Sequence, residues 1–493
     1  MSSLARLSYA HTTPSLRARC QGELPLSARL EGWMEALLDS SDPFALVERY
    51  GSPLNVLDAS PFTPRIASFQ QTARDRQLDF RIFYARKANK CLRFVDHALE
   101  AGAGIDSASE TEIRQARERG ATGDDLICTA AIKDGRLLRS CLEQGVTIAV
   151  DNLDEWQQIE AIARATNLPG LVAIRLGGFL HEGRKLATRF GFDVEMLSSW
   201  IATMAKSPLR VTGLHFHLDG PSVAERVSAI AQSLRFIDAF RRLGQPVRFL
   251  DIGGGIPVRY IDSSSQWSAF CKEHRRALRH ERPPITFDNH GLGQFPRGAG
   301  LGGRFNVYPP YQALTGSDWL ANLLDAPLAA QTVSRQLIDR QLQLRCEPGR
   351  SLLDGCGLTL ARVAFCKPTA SGDWLIGLSM NHTQCRTTHD EFMVDPLVIA
   401  RRGETPATAS PPRSGFLVGA YCTESEFLAW RRLRFPCGIE RGDLVVFPNT
   451  AGYLMHFMES RGHQFPLAAN LIREPAEAPT RYVLDPIDRP PQS

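Results

Sequence analysis

The chain has 493 residues, of which 43% are hydrophobic and 22% charged, with a formal net charge of +4. That length gives room for two or more domains around a sizeable core. The small net charge, without a block of like charges, gives no basis for a nucleic-acid partner or a charged interaction tail. Eleven scattered cysteines without a C-x-x-C argue against a disulfide framework, a zinc ribbon or a thioredoxin-like site. The opening "MSSLARLSYAHTT" lacks the apolar core of a secretory signal, and no apolar run approaches a membrane span. A soluble cytoplasmic protein with reduced thiols is expected.

From about residue 80 to 350 strands and helices alternate. "FRIFYA" reads as a strand, and "SASETEIRQARERG" as a helix closed by Gly120. "VTIAVDN" is a strand, followed by the helix "LDEWQQIEAIARAT", with Asp151 or Asn152 as its cap. "GLVAIRL" and "LRVTGLHFHL" are further strands. "VAERVSAIAQSLRFIDAFRRLG" is a long helix ending at Gly244. "VRFLDIGGG" runs from strand into glycines, and "QLQLRCEPGR" is another strand. Such alternation implies right-handed crossovers and a parallel sheet, and the number of units suits a closed (β/α)8 barrel. A Gly- and Pro-rich segment inside it, about 281–340, reads as an irregular insertion. After Ser351 the short strands "LTLARVAFCKPT", "DWLIGLSM", "GFLVGAYC" and "DLVVFPNT" indicate a mostly β second domain over about 353–493.

Polar signals fall at the ends of the barrel strands, where barrel enzymes place their active sites. Lys87 ends one strand, His217 another, Gly253, Gly254 and Gly255 follow a third, and Glu347 and Arg350 a fourth. Taken singly, the lysine reads as a solvated loop residue, the glycines as a tight turn and H-x-H as a metal pair without a third ligand. Taken together they describe a site for an anionic aromatic cofactor. A lysine in a partly apolar pocket has a lowered pKa and forms an imine. Glycines let backbone N–H groups approach a phosphate, arginine clamps it, imidazole stacks on a ring, and a carboxylate holds a ring nitrogen protonated. That set matches pyridoxal 5'-phosphate.

The motifs resemble those of the fold-type III pyridoxal-phosphate decarboxylases, the family of diaminopimelate, ornithine and arginine decarboxylases. "YARKAN" resembles the cofactor-lysine motif, "GAGIDSASETE" the strand and helix after it, and "GLHFHLDG" the histidine motif. "LDIGGGIP" resembles the phosphate loop, "CEPGRS" the acid–arginine motif and "GAYCTESE" the cysteine motif. The resemblance runs in order from Tyr50 to Phe457. It implies an alanine racemase-like barrel over 60–352, joined by a β domain built from 353–493 together with the N-terminal segment 1–59. It implies that Lys87 forms the imine, with Asp106 beside it and Arg175 as a further cofactor contact. His217 would stack on the ring and Glu347 pair with its nitrogen. Gly253, Gly254, Gly255, Arg350 and Tyr453 would hold the phosphate. Cys422 would return a proton to the substrate carbon from the other subunit of a homodimer with shared sites.

The expected reaction is decarboxylation of an amino-acid substrate. Racemisation is the alternative on the same cofactor, opposed by the acid of "EPGR", and a regulator without turnover is opposed by Lys87 and Cys422. The remaining cysteines, including Cys346, are assigned to packing. Departures touch the substrate side. "HLDG" puts Asp219 and Gly220 where the family has glycine and serine, "CTESE" puts Thr423 in place of an acid with Glu424 beside it, and "AGY" replaces "GAY" before Tyr453. Tyr84 and Arg86 give no specificity signal. Asp390, Glu391 and Asp395 are candidates to meet a distal ammonium. The insertion is a candidate lid over a substrate larger than a free amino acid, such as an intermediate of siderophore or other secondary metabolism.

Overall fold

The computed structural model describes residues 16–387, 392–401, 411–474 and 480–488. Eight parallel strands form one ring: β1 (Phe80–Ala85), β2 (Gly104–Ser107), β3 (Leu126–Cys128), β4 (Thr147–Val150), β5 (Leu171–Gly177), β6 (Arg210–Phe216), β7 (Phe249–Asp251) and β8 (Gln343–Cys346). Sequence neighbours pair from β1 to β8, and β8 pairs back onto β1 at Leu344↔Phe80, which closes the barrel. The strands are buried on both faces, as a parallel sheet covered by helices requires.

The helices start and stop where the residues dictate. Ser109 caps the helix Glu110–Glu118 by accepting from the Glu112 N–H, and Gly120 leaves it at φ +97°. Asn152, not Asp151, caps Leu153–Thr166, accepting from the Glu155 N–H. Asp151 instead accepts from Gly191 N–H at 3.0 Å. The segment read as an irregular insertion is more ordered than expected. It contains a hairpin (Gln294–Arg297 with Gly300–Gly303) and two helices, Gly316–Asp325 and Val333–Asp339. Leu320, Leu323 and Leu324 fasten the first of these helices into the barrel core. The upstream part packs on the β domain, with Phe287 4.3 Å from Phe427 and His290 stacked 4.1 Å from Trp430.

Among the described residues the second sheet has ten strands. Its long central strand Gly357–Pro368 pairs with Trp374–Leu378, Leu444–Pro448 and, from the other chain end, Leu54–Leu57. Gln21–Gly22 adds an edge beside Phe427–Phe435. Only a short connection separates Glu347 from Gly357, so the rim of the barrel leads straight into this sheet. No helix among the described residues is long and apolar enough to cross a membrane.

Candidate active site

Lys87 lies in a single 3-10 turn, Arg86–Ala88, immediately after β1. The turn is held from the β domain: Tyr453 N–H donates to the Ala88 carbonyl at 2.8 Å, and Asn89 Nδ2 donates to Ala451 at 2.9 Å. Tyr453 adopts φ +73°, a left-handed conformation unusual for a tyrosine, and its hydroxyl lies close to Gly349, where a Cβ would stand 2.9 Å from it. Lys87 Nζ donates to Asp106 Oδ2 at 2.9 Å, with Asp106 on β2. Thr129, just past β3, donates to the other oxygen of Asp106 at 2.5 Å.

The expectation of a depressed lysine pKa is corrected here. Burial pulls the amine down, but the negative charge of Asp106, then Glu347 and Tyr453, outweighs it and moves the Lys87 pKa up. Asp106 is raised in turn, by burial and then Glu347, while Lys87 and the Thr129 hydroxyl oppose the rise. The amine is therefore an ammonium partnered by a carboxylate, and it must pass its proton on before it acts as a nucleophile.

Glu347 and its neighbours form a buried group below the lysine. Glu347 Oε1 lies 3.1 Å from His215 Nε2 in a hydrogen bond. His215, Asp251 and Glu347 bring one ligand-type atom each within 4.8 Å of one another, all buried. Burial raises Glu347, against the pull of Lys87 and Arg175. Burial, then Glu347, raises Asp251 well above the ordinary carboxyl range. His215 is pushed down by burial, then by Arg175, and stays neutral. H-x-H is thus divided: His215 meets the acid, whereas His217 Nδ1 accepts from the Gly254 N–H at 3.3 Å. Burial, then Lys87, also lowers His217, so its imidazole is neutral.

The glycine run has little space for side chains. A Cβ at Gly253 would stand 2.6 Å from the Phe216 carbonyl oxygen, and one at Gly254 2.6 Å from that of Glu347. Gly253 and Gly255 take φ +65° and +79°. Arg350 reaches the Tyr260 hydroxyl at 3.1 Å and the Gly452 carbonyl at 3.3 Å, over the Tyr308 ring. Arg175, on β5, donates to Asp151 at 3.4 Å and stacks 4.2 Å over Phe190. Cys422 lies in the loop after Arg413–Val418, where it is exposed and makes no hydrogen bond among the described residues. Asp390 and Glu391 fall outside the described residues. Asp395 is buried in an ion pair with Arg431 at 2.9 Å, so it is not open to a substrate ammonium.

Sequence reading missed Thr129, His215's role, Asp251 and Arg226. The Lys87 amine, the buried acid, the neutral histidine on the Gly254 N–H and the tight glycine turn are gathered at one barrel rim, where barrel enzymes build their active sites. Residues 64–286 match the family described as pyridoxal-dependent decarboxylase, pyridoxal binding domain. An uncharacterised protein of Sinorhizobium fredii, y4yA, is 30% identical, covering 90% of this chain and 93% of its own. The diaminopimelate decarboxylase of Pseudomonas fluorescens is 22% identical, covering 83% of this chain and 85% of its own. The diaminopimelate decarboxylase of Helicobacter pylori, solved with L-lysine, superposes with a TM-score of 0.64 at 18% identity, over 89% of this chain and 95% of that one, a likeness of fold. The chain belongs to the pyridoxal-dependent decarboxylase family, whose cofactor is pyridoxal 5'-phosphate. The residues present fit that group, since the glycine turn runs where no Cβ has room and leaves the exposed Gly255 N–H without a partner among the described residues, as an anion needs, and Glu347 is a buried acid in the field of Lys87.

Proposed function

We propose that this protein decarboxylates an α-amino acid, or a metabolite that contains one, as a cytoplasmic homodimer with shared active sites. The observation that carries the reading is the Lys87 amine at the barrel rim, paired with Asp106 and facing the charge of Glu347. Lys87 would hold the cofactor's aldehyde carbon, Glu347 its ring nitrogen and His217 its ring face. Gly253, Gly254, Gly255, Arg350 and Tyr453 would hold its phosphate, with Arg175 as a further contact. When bound, pyridoxal phosphate supplies the electron sink for the pair left on the substrate carbon as carbon dioxide departs.

The chain's own residues handle the protons. Asp106 takes and returns the Lys87 proton across their 2.9 Å contact. Glu347 holds a proton at the ring nitrogen, and the neutral His215 orients that carboxyl. Cys422 returns a proton to the substrate carbon of the partner's site. Its exposure in the single chain suits a residue that completes a neighbouring pocket, and the exposed Phe457 and Met458, a few residues past Tyr453, suit a covered face. No disulfide forms among the described residues, as a reducing compartment favours.

The substrate class follows the relatives, which include diaminopimelate decarboxylases and a lysine/ornithine decarboxylase of Vibrio vulnificus. The test is a carbon dioxide release screen over diaminopimelate, ornithine, lysine, arginine and citryl-diamino acids. Release from one of them supports the reading. Exchange of the α-hydrogen without gas would assign racemisation instead, and neither event on any substrate would favour a regulator.

A further inference from the structure

The helix Val223–Arg242 after β6 places Arg226 beneath the glycine run, fully buried. Its Nη2 donates to the carbonyls of Gly254 at 2.8 Å, Gly220 at 3.3 Å and Leu218 at 3.4 Å, and its Nη1 to Ile252 at 3.5 Å. These carbonyls belong to two loops, the one after His217 and the glycine turn itself. No carboxylate forms an ion pair with Arg226 among the described residues. Instead the guanidinium lies 5.1 Å from the Trp319 ring, and Trp319 is fixed by its own N–H to the Pro221 carbonyl at 2.7 Å. A Cβ at Gly255 would stand 2.5 Å from Arg226 Nη2.

A peptide unit is planar, with its carbonyl and N–H on opposite sides. Arg226 takes the Gly254 carbonyl, so the N–H of the same unit, on Gly255, points away from the guanidinium. That N–H has no partner among the described residues, and Gly255 is exposed. Burial lowers the Arg226 pKa to about 10, which leaves it charged at neutral pH. A full positive charge therefore stands one peptide unit behind a free donor on an open turn, the arrangement an anion requires.

We propose that Arg226 is a positioning residue for the cofactor's phosphate: it fixes the Gly254–Gly255 peptide with the N–H toward the phosphate and supplies charge from behind without touching it. This rests on reading the Lys87 site as a pyridoxal phosphate site. The experiment titrates cofactor-free protein with pyridoxal phosphate and, separately, with pyridoxal, following the quenching of intrinsic fluorescence. Arg226→Met is expected to weaken pyridoxal phosphate by about tenfold or more while pyridoxal changes by less than about twofold. Arg226→Lys keeps the charge and loses the fork. It is expected to show a smaller loss, again confined to the phosphorylated ligand, and it carries the test alone where Arg226→Met does not fold. Equal losses for both ligands, or no loss for either, would overturn the proposal. Failure of the unaltered protein to bind either ligand would instead overturn the cofactor reading beneath it.

Discussion

Replacing Thr129 with valine removes a hydroxyl and keeps the side-chain shape, so it isolates one contact behind the Lys87–Asp106 pair. Asp106 is buried, with one oxygen on the Lys87 amine at 2.9 Å and the other on the Thr129 hydroxyl at 2.5 Å. In Thr129→Val the second oxygen is left without that donor. A hydrogen bond to a charged group contributes about 1.5–3 kcal/mol, and a buried acceptor left unpaired suffers the full cost of desolvation. The pH dependence follows from the direction of the Asp106 shift. Its pKa is already raised by burial and then Glu347, and the Thr129 hydroxyl opposes that rise, so its removal raises the pKa further. The folded variant then keeps the Asp106 proton to higher pH than the unfolded chain does. The unfolded chain titrates alike in both proteins, so the deficit is smallest where both folded forms hold the Asp106 proton and grows as pH rises through the folded pKa of the unaltered protein toward the higher one of the variant. Thermal unfolding of cofactor-free protein should show a loss worth about 1.5–3 kcal/mol at pH 8, shrinking toward about 1 kcal/mol near pH 4. Thr129→Ser should keep most of the stability. A loss of one size at both pH values, or an equal loss in Thr129→Ser, would refute the reasoning and leave Thr129 a packing residue.

Other perturbations separate the remaining parts of the site. Gly254 has no positive φ, so alanine there tests space alone; its Cβ would stand 2.6 Å from the Glu347 carbonyl oxygen. Overpacking of that kind costs about 1–3 kcal/mol, so Gly254→Ala should lose about that much unfolding stability as cofactor-free protein, and an unchanged midpoint would contradict the close packing. Asp251 keeps its proton well above the ordinary carboxyl range, which costs folding stability as pH rises past the unfolded value. Asp251→Asn should therefore melt higher than the unaltered protein at pH 8 and level with it near pH 4; a lower midpoint at pH 8 would contradict the assignment. Cys422→Ala should bind cofactor normally and turn over poorly. Mixing it with Lys87→Ala subunits should restore turnover, and mixtures as inactive as their parents would argue against a shared site.

Local signals carried well. Lys87 stands out because it follows an apolar strand by two residues, and Gly253–Gly255 because three glycines come one residue after β7. What escaped was set by contacts distant in sequence. Thr129 sits 23 positions from Asp106 in a stretch without periodicity, after a β3 of only three residues. His215 and Glu347 are 132 positions apart, so nothing near H-x-H reveals which histidine meets the acid. Arg226 lies on a long amphipathic helix, where an arginine reads as a solvated charge; only the fold shows carbonyls from two loops converging on it. The lysine's pKa direction failed for the same reason. An apolar strand end argues for desolvation, whereas the carboxylates that outweigh it arrive from β2 and from beyond β8.

Borohydride reduction of the protein incubated with pyridoxal phosphate, followed by peptide mapping, reaches the core of the mechanism in one measurement. A pyridoxyl adduct on Lys87, absent when that residue is alanine in an otherwise folded protein, is the result expected. Stable modification of some other lysine, or a colourless protein with no adduct at all, would contradict it.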